Sequence, residues 1–235
     1  MSYLGLNIRE LIRFYDDDPD ARLHSNAVKT LAGEEVGLSL CEHFLNATQR
    51  APARIDNPCT SKGAWLDGWI KVASPESTLY QIEVKSWSMH GYGSRRQRLG
   101  VDASPDEVAQ YKMASWRRYW DGSSFRDKGL KKVLRRMNLP PGEAGPAEAV
   151  ACLWTAVHPQ GLDEPMFTEP SKGTDFAEVT VFSASAYLRQ LMADGTSTIR
   201  LALPKTKQRL AYLAAIFDQR NGASCGSQLI SRHDP

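Results

Sequence analysis

Two apolar runs carry the residues best suited to chemistry, Trp65-Leu66-Asp67-Gly68-Trp69-Ile70 and Tyr80-Gln81-Ile82-Glu83-Val84-Lys85. Asp67 and Glu83 stand sixteen residues apart. That spacing leaves room for two strands and a turn, so both carboxylates can sit side by side on adjacent strands and share a divalent metal. Glu83 and Lys85 are two apart, and the period of a strand puts them on one face with Val84 on the other. Taken alone, Asp67-Gly68 also fits a hairpin turn or bulge, and Glu83 with Lys85 a solvent-facing charge pair. The elements around them must decide.

The chain that has to position these residues has 235 of them, 42% hydrophobic and 24% charged, the composition of an ordinary globular protein rather than a disordered or fibrous one. One domain spanning residues 1–235 is expected. The sequence has no apolar stretch of membrane-spanning length and no basic-then-apolar leader, so no membrane association and a cytoplasmic location are expected. Cys41, Cys59, Cys152 and Cys225 are scattered, without the CxxC pairing of zinc or redox sites, and the histidines form no ligand spacing. Any metal would be held by oxygen.

The net charge of +2 hides an asymmetry. Between Arg95 and Arg136, twelve lysines and arginines face five acids, a balance of +7, so the remainder carries 2 − 7 = −5. The positive segment contains Arg95, Arg96 and Arg98, then Lys112, then Arg117 and Arg118 within Trp116-Arg117-Arg118-Tyr119-Trp120, then Lys131 and Lys132. Any one cluster fits a solvated helix face. Their concentration just after the acidic pair fits a polyanionic partner, whose phosphates the cations would neutralise.

Periodicity and turn residues give the order of elements. A short helix is expected over 6–15, ended by Asp16-Asp17-Asp18-Pro19, and a longer one from Asn26 to about Ala47. Residues 53–55, 66–72 and 78–87 read as strands, the last two antiparallel around Ser74-Pro75-Glu76. Ser104-Pro105-Asp106-Glu107 starts a helix running to about Trp120, and Gly129–Met137 reads as a further basic helical piece. Strands are expected over 149–157 and 176–182, then a helix capped by Ser183 or Ser185, and a last helix over 204–218.

Helix, three strands, helix, strand, with acids at these places, resembles the PD-(D/E)XK nuclease superfamily. The resemblance implies an α/β fold with a restriction-endonuclease-like core, a central mixed β-sheet flanked by helices in αβββαβ order. That core would cover about 26–185, with helices 6–15 and 204–218 as additions. The family places an acid on the second core strand, an E-x-K or D-x-K on the third, a glutamate in the first helix and, in several branches, a glutamine in the next helix. Here those are Asp67, Glu83 with Lys85, Glu34 or Glu35, and Gln110. No proline precedes Asp67, and Ala114 stands where some branches have a tyrosine four residues after the glutamine. At 100° per residue Glu34 and Glu35 flank the same stripe, so helical geometry does not separate them; Gly33-Glu34 resembles the helix start of some branches.

The implied activity is metal-dependent hydrolysis of phosphodiesters, DNA rather than RNA on the resemblance alone. Asp67, Glu83 and the Val84 backbone carbonyl would offer hard oxygen ligands to Mg²⁺ or Mn²⁺, with Glu34 binding through water or holding a second ion. Lys85 would orient the attacking water and neutralise charge. No separate recognition domain is evident, so a homodimer or a partner protein is expected to supply specificity. Two other classes fit parts of the sequence. One is a nucleic-acid-binding or assembly protein that keeps the fold without cleavage; the other is a hydrolase using paired carboxylates on neutral substrates, which the basic segment argues against.

Overall fold

The computed structural model describes residues 3–15, 29–49, 52–55, 66–73, 77–85, 134–154, 164–171 and 173–217. In chain order they form β1 (Tyr3–Asn7), α1 (Ile8–Tyr15), a π-helical turn (Lys29–Gly33) leading into α2 (Glu34–Thr48), β2 (Pro52–Ile55), β3 (Gly68–Val72), β4 (Thr78–Lys85), β5 (Ala147–Leu153), β6 (Met166–Pro170), β7 (Glu178–Ser183), α3 (Ala184–Ala193), β8 (Thr198–Ala202) and α4 (Pro204–Ile216). The fold is α/β. Six strands make a mixed central sheet in the order β2-β3-β4-β5-β7-β6, and β1 pairs with β8 in a separate ribbon. No helix among the described residues is long and apolar enough to cross a membrane.

The predicted hairpin is present, with β3 antiparallel to β4 and Gly68 opposite Ile82. β4 then pairs parallel with β5, and β5 parallel with β7. A strand in the middle of such a sheet must be apolar on both sides, and in β5 every residue but Glu148 is buried. On one face Val36, Leu40, Cys41 and Leu45 of α2 pack on Tyr80, Ile82, Val84, Val150 and Cys152. On the other, Ala149, Ala151, Leu153, Val179 and Val181 meet Leu134, Phe167 and Phe176. Ser183 caps α3, its Oγ accepting from the Ala186 N–H at 3.4 Å.

α2 approaches the sheet closely because two glycines lie at the contact. A Cβ on Gly37 would come within 2.5 Å of Val84 Cγ1, and one on Gly68 within 2.8 Å of Leu38 Cδ2. Both contacts bear on the strand residues that carry Asp67, Glu83 and Lys85.

Several expectations need correction. The N-terminal helix begins at Ile8 rather than residue 6, because Leu6 belongs to β1, where it faces Ile199 of β8. Strands β1, β6 and β8 were not expected; each is only five residues long. Within the expected helix 129–137, residues 134–137 are not helical. Their backbone groups bond to other elements instead: the Arg135 carbonyl accepts from Asp175 N–H, the Arg136 carbonyl from Gln81 Nε2, and Met137 N–H donates to Asp175 Oδ2. The helix expected over 104–120 lies outside the described residues, as do residues 26–28 at the start of the long helix.

Candidate active site

Asp67 immediately precedes β3, and one further step of the β3–β4 register sets it beside Glu83. Its position is fixed from both ends. The Asp67 N–H donates to the Ile82 carbonyl at 3.2 Å, and its Oδ2 accepts from the Val84 N–H at 2.6 Å. The Val84 carbonyl in turn accepts from Lys85 Nζ at 3.4 Å. The peptide between the acid and the lysine is thus bracketed by charged side chains.

Glu83 is only 4% exposed. Its Oε1 accepts a hydrogen bond from the Lys85 ammonium, whereas its Oε2 is buried without a hydrogen-bond partner among the described residues. Burial, and next the charge of Asp67, push the Glu83 carboxyl up to about 7, with Lys85 opposing the rise. Asp67 is likewise raised, chiefly by burial; the Val84 N–H and Lys85 work the other way. Two adjacent carboxylates that resist full ionisation are a site lacking positive charge.

The two helix glutamates part company. Glu34, the exposed first residue of α2, adds negative charge that raises the Asp67 and Glu83 carboxyls, far less than burial does. Glu35 is buried and taken up elsewhere: its carboxylate accepts from the Lys205 N–H at 2.9 Å and from the Thr206 N–H and Oγ1, each at 2.6 Å. It therefore supplies the acceptor that the free N–H groups at the start of α4 require. This pairing spans 170 residues of sequence, beyond the reach of any helical-wheel argument.

Of the remaining expected site residues, Gln110 and all the expected nucleic-acid contacts (Arg95, Arg96, Arg98, Lys112, Arg117, Arg118, Lys131 and Lys132) lie outside the described residues. The charge of Lys205, on the first turn of α4, works weakly against the rise of the Asp67 carboxyl, less than the Val84 N–H or Lys85 does.

Among the described residues no group of three or more His, Cys, Asp or Glu side chains is arranged to hold a metal ion. Asp67 and Glu83 supply two carboxylates, and the Val84 carbonyl a third hard oxygen. This set fits Mg²⁺ or Mn²⁺, which use one or two carboxylates and keep several waters. The fit rests on Glu83 Oε2: a buried, unpartnered carboxylate oxygen is costly unless a cation or a proton satisfies it. Cys152 lies on the opposite face of the sheet, where its Sγ–H donates to the Gly37 carbonyl at 3.3 Å, too committed and too buried to serve as a ligand. No family model, curated protein or solved structure matches this chain.

Proposed function

We propose that the protein is a metal-dependent nuclease of the PD-(D/E)XK type, hydrolysing phosphodiester bonds of DNA in preference to RNA, with Asp67, Glu83 and Lys85 as its catalytic centre and Glu34 beside them. The observation that carries the reading is the buried Glu83 carboxylate next to Asp67, one oxygen on Lys85 and the other without a partner among the described residues. The family resemblance supplies the substrate class, and the +7 balance of residues 95–136 supplies a reason for a polyanion to bind. A cytoplasmic setting, and a second copy or partner protein contributing specificity, belong to the same reading.

A bound Mg²⁺ or Mn²⁺ would stabilise charge on the phosphate and make water a better nucleophile. The protein's own groups do the rest. Asp67 and Glu83 hold the hard-oxygen corner, with Asp67 oriented by the Val84 N–H. Lys85, partly exposed and anchored on Glu83, orients the attacking water and offsets charge as the water oxygen forms the new phosphorus–oxygen bond and gives its proton to solvent, while the bond to the leaving sugar oxygen breaks and that oxygen takes a proton from solvent.

The test is incubation with supercoiled plasmid, linear duplex, single-stranded DNA and RNA, in Mg²⁺, Mn²⁺ or chelator, beside Asp67→Ala and Lys85→Ala. Cleavage that needs metal and is lost in both variants supports the proposal. Cleavage surviving both substitutions removes the assigned site. Binding without cleavage in every metal favours a nucleic-acid-binding protein that retains the fold.

A further inference from the structure

α4 is a helix with little to pack on. Of its 13 residues only Thr206 is buried, yet helices of this length are marginal in water and are held in proteins mainly by packing of an apolar face. Its first two turns are fastened: Glu35 takes the Lys205 and Thr206 amides, and Arg209 Nη1 donates to the Leu31 carbonyl. Beyond them Leu210, Tyr212, Leu213, Ile216 and the adjoining Phe217 all lie exposed, Tyr212 at 69% and Phe217 at 67%. Single exposed apolar residues are ordinary, but five large ones on one short segment mark a contact surface.

Their spacing has the form of a helix–helix seam. Thr206, Leu210, Leu213 and Phe217 follow one another at intervals of four, three and four, the repeat by which one helix seats its side chains in another. At 100° per residue Ile216 and Tyr212 widen that stripe on one side, while Ala215 falls on the opposite side. Five large side chains of about 200 Å² each, roughly half open, present on the order of 500 Å² of apolar surface. A stable interface takes about 800 Å² from each partner, polar rim included, so the stripe suffices as the core of one.

Charge selects the occupant. α4 carries Lys205, Lys207 and Arg209 in its first two turns and no acid, although the N-terminal end of a helix is already partly positive and the C-terminal end, with its unpaired carbonyls, partly negative. A second α4 laid antiparallel answers both ends at once. The basic half of each helix then lies against the negative end of the other, and the two basic halves stay apart by about the 20 Å length of the helix. A parallel pair would set all these cations side by side. Helices that lie on anionic membranes carry lysine and arginine on their polar face; here the cations are gathered at one end, and Ala211, Ala214 and Ala215 occupy the rest of that face.

We propose that the exposed face of α4 is a homodimer interface, in which two copies of the helix pack antiparallel about a two-fold axis near Leu210 and Leu213. This surface stands independently of the nuclease reading and would serve the second copy named there.

The test is sedimentation velocity of the full chain at concentrations up to about 100 μM, above the micromolar dissociation constants of the weaker interfaces of ordinary size. The wild type is expected to be a dimer. Leu213→Glu, which sets a charge at the centre of the seam, should be a monomer whose thermal unfolding remains cooperative. Ala215→Glu sets the same charge on the far side of the helix and should leave the dimer intact. Lys207→Glu reports the orientation: it suits the helix's own dipole better, so dimerisation weakened by about fivefold or more reflects the lost attraction to the partner's negative end. A wild type that stays monomeric, including one that instead binds anionic vesicles, overturns the interface, as does a dimer that survives Leu213→Glu or is lost equally in Ala215→Glu. Unchanged or tighter dimerisation in Lys207→Glu overturns the antiparallel arrangement. None of these outcomes bears on Asp67, Glu83 or Lys85.

Discussion

At Glu83 and Asp67, burial and mutual repulsion act together on two neighbouring carboxylates, so the metal-free protein should become less stable as they ionise. Glu83 rises from 4.5 to about 7 on folding. The folded state therefore holds a proton that the unfolded chain has released between those values. The stabilisation is complete below about pH 4.5 and is lost as pH rises through about 7. Glu83→Gln removes this ionisation. In chelator, the stability advantage of Glu83→Gln over wild type should grow from pH 4.5 to pH 8 by up to about 3 kcal/mol, as read by urea denaturation at each pH. A constant difference across that range would mean that Glu83 is not held in a charge-starved site. The Glu83-x-Lys85 face was legible from the sequence because a period of two is a local property. The commitment of Glu35 to the start of α4 was not, because nothing local links residues 170 apart.

Two element contacts hold the corner in shape, and each makes a prediction. Glu35→Ala would leave the Lys205 and Thr206 amides and the Thr206 hydroxyl without their acceptor. The expected loss is about 1–3 kcal/mol of stability, with faster amide hydrogen exchange concentrated at the start of α4. Glu34→Ala lacks these contacts and should leave that exchange unchanged. Gly37→Ala is the second case. Alanine normally favours a helix by about 1 kcal/mol over glycine. Here its Cβ would meet Val84 Cγ1 at 2.5 Å, so thermal denaturation should instead show a net loss of about 1–3 kcal/mol from overpacking. Hydropathy alternation identified β3, β4, β5 and β7 because their buried residues dominate their short spans. β1 and β8 escaped: in β1, Leu4 and Leu6 alternate with Tyr3, Gly5 and Asn7 over five residues only, and Leu6 also fits the helix that follows. The basic stretch ending at Met137 looked helical, yet Gln81, buried in β4 with both ends of its carboxamide in use, takes the Arg136 carbonyl and the Asn138 N–H for itself. That competition is tertiary, and no propensity scale contains it.

For the whole molecule, the candidate site lies at a seam. β4 is the strand at which the sheet changes from antiparallel pairing with β3 to parallel pairing with β5, and Glu83 and Lys85 stand at its carboxyl end. Ligands of α/β sheets gather beyond the carboxyl ends of strands, where connections diverge and leave a crevice. The start of α2 is tied to the start of α4 by Glu35 on the Lys205 and Thr206 amides, and α2 packs on Val84 through Gly37, so elements spread across most of the chain gather around β4. The α/β class and the paired carboxylates could be read in advance. The commitment of Glu35 to the start of α4 depended on how distant elements dock. The central claim is that this corner cuts phosphodiesters with Lys85 acting in the reaction itself. It is tested most directly by single-turnover cleavage of a labelled DNA duplex in saturating Mg²⁺, comparing wild type with Lys85→Ala. The account predicts a metal-dependent rate that falls by at least about 100-fold in the variant, the scale of removing one electrostatic group from a transition state. Cleavage by Lys85→Ala at the wild-type rate would contradict it.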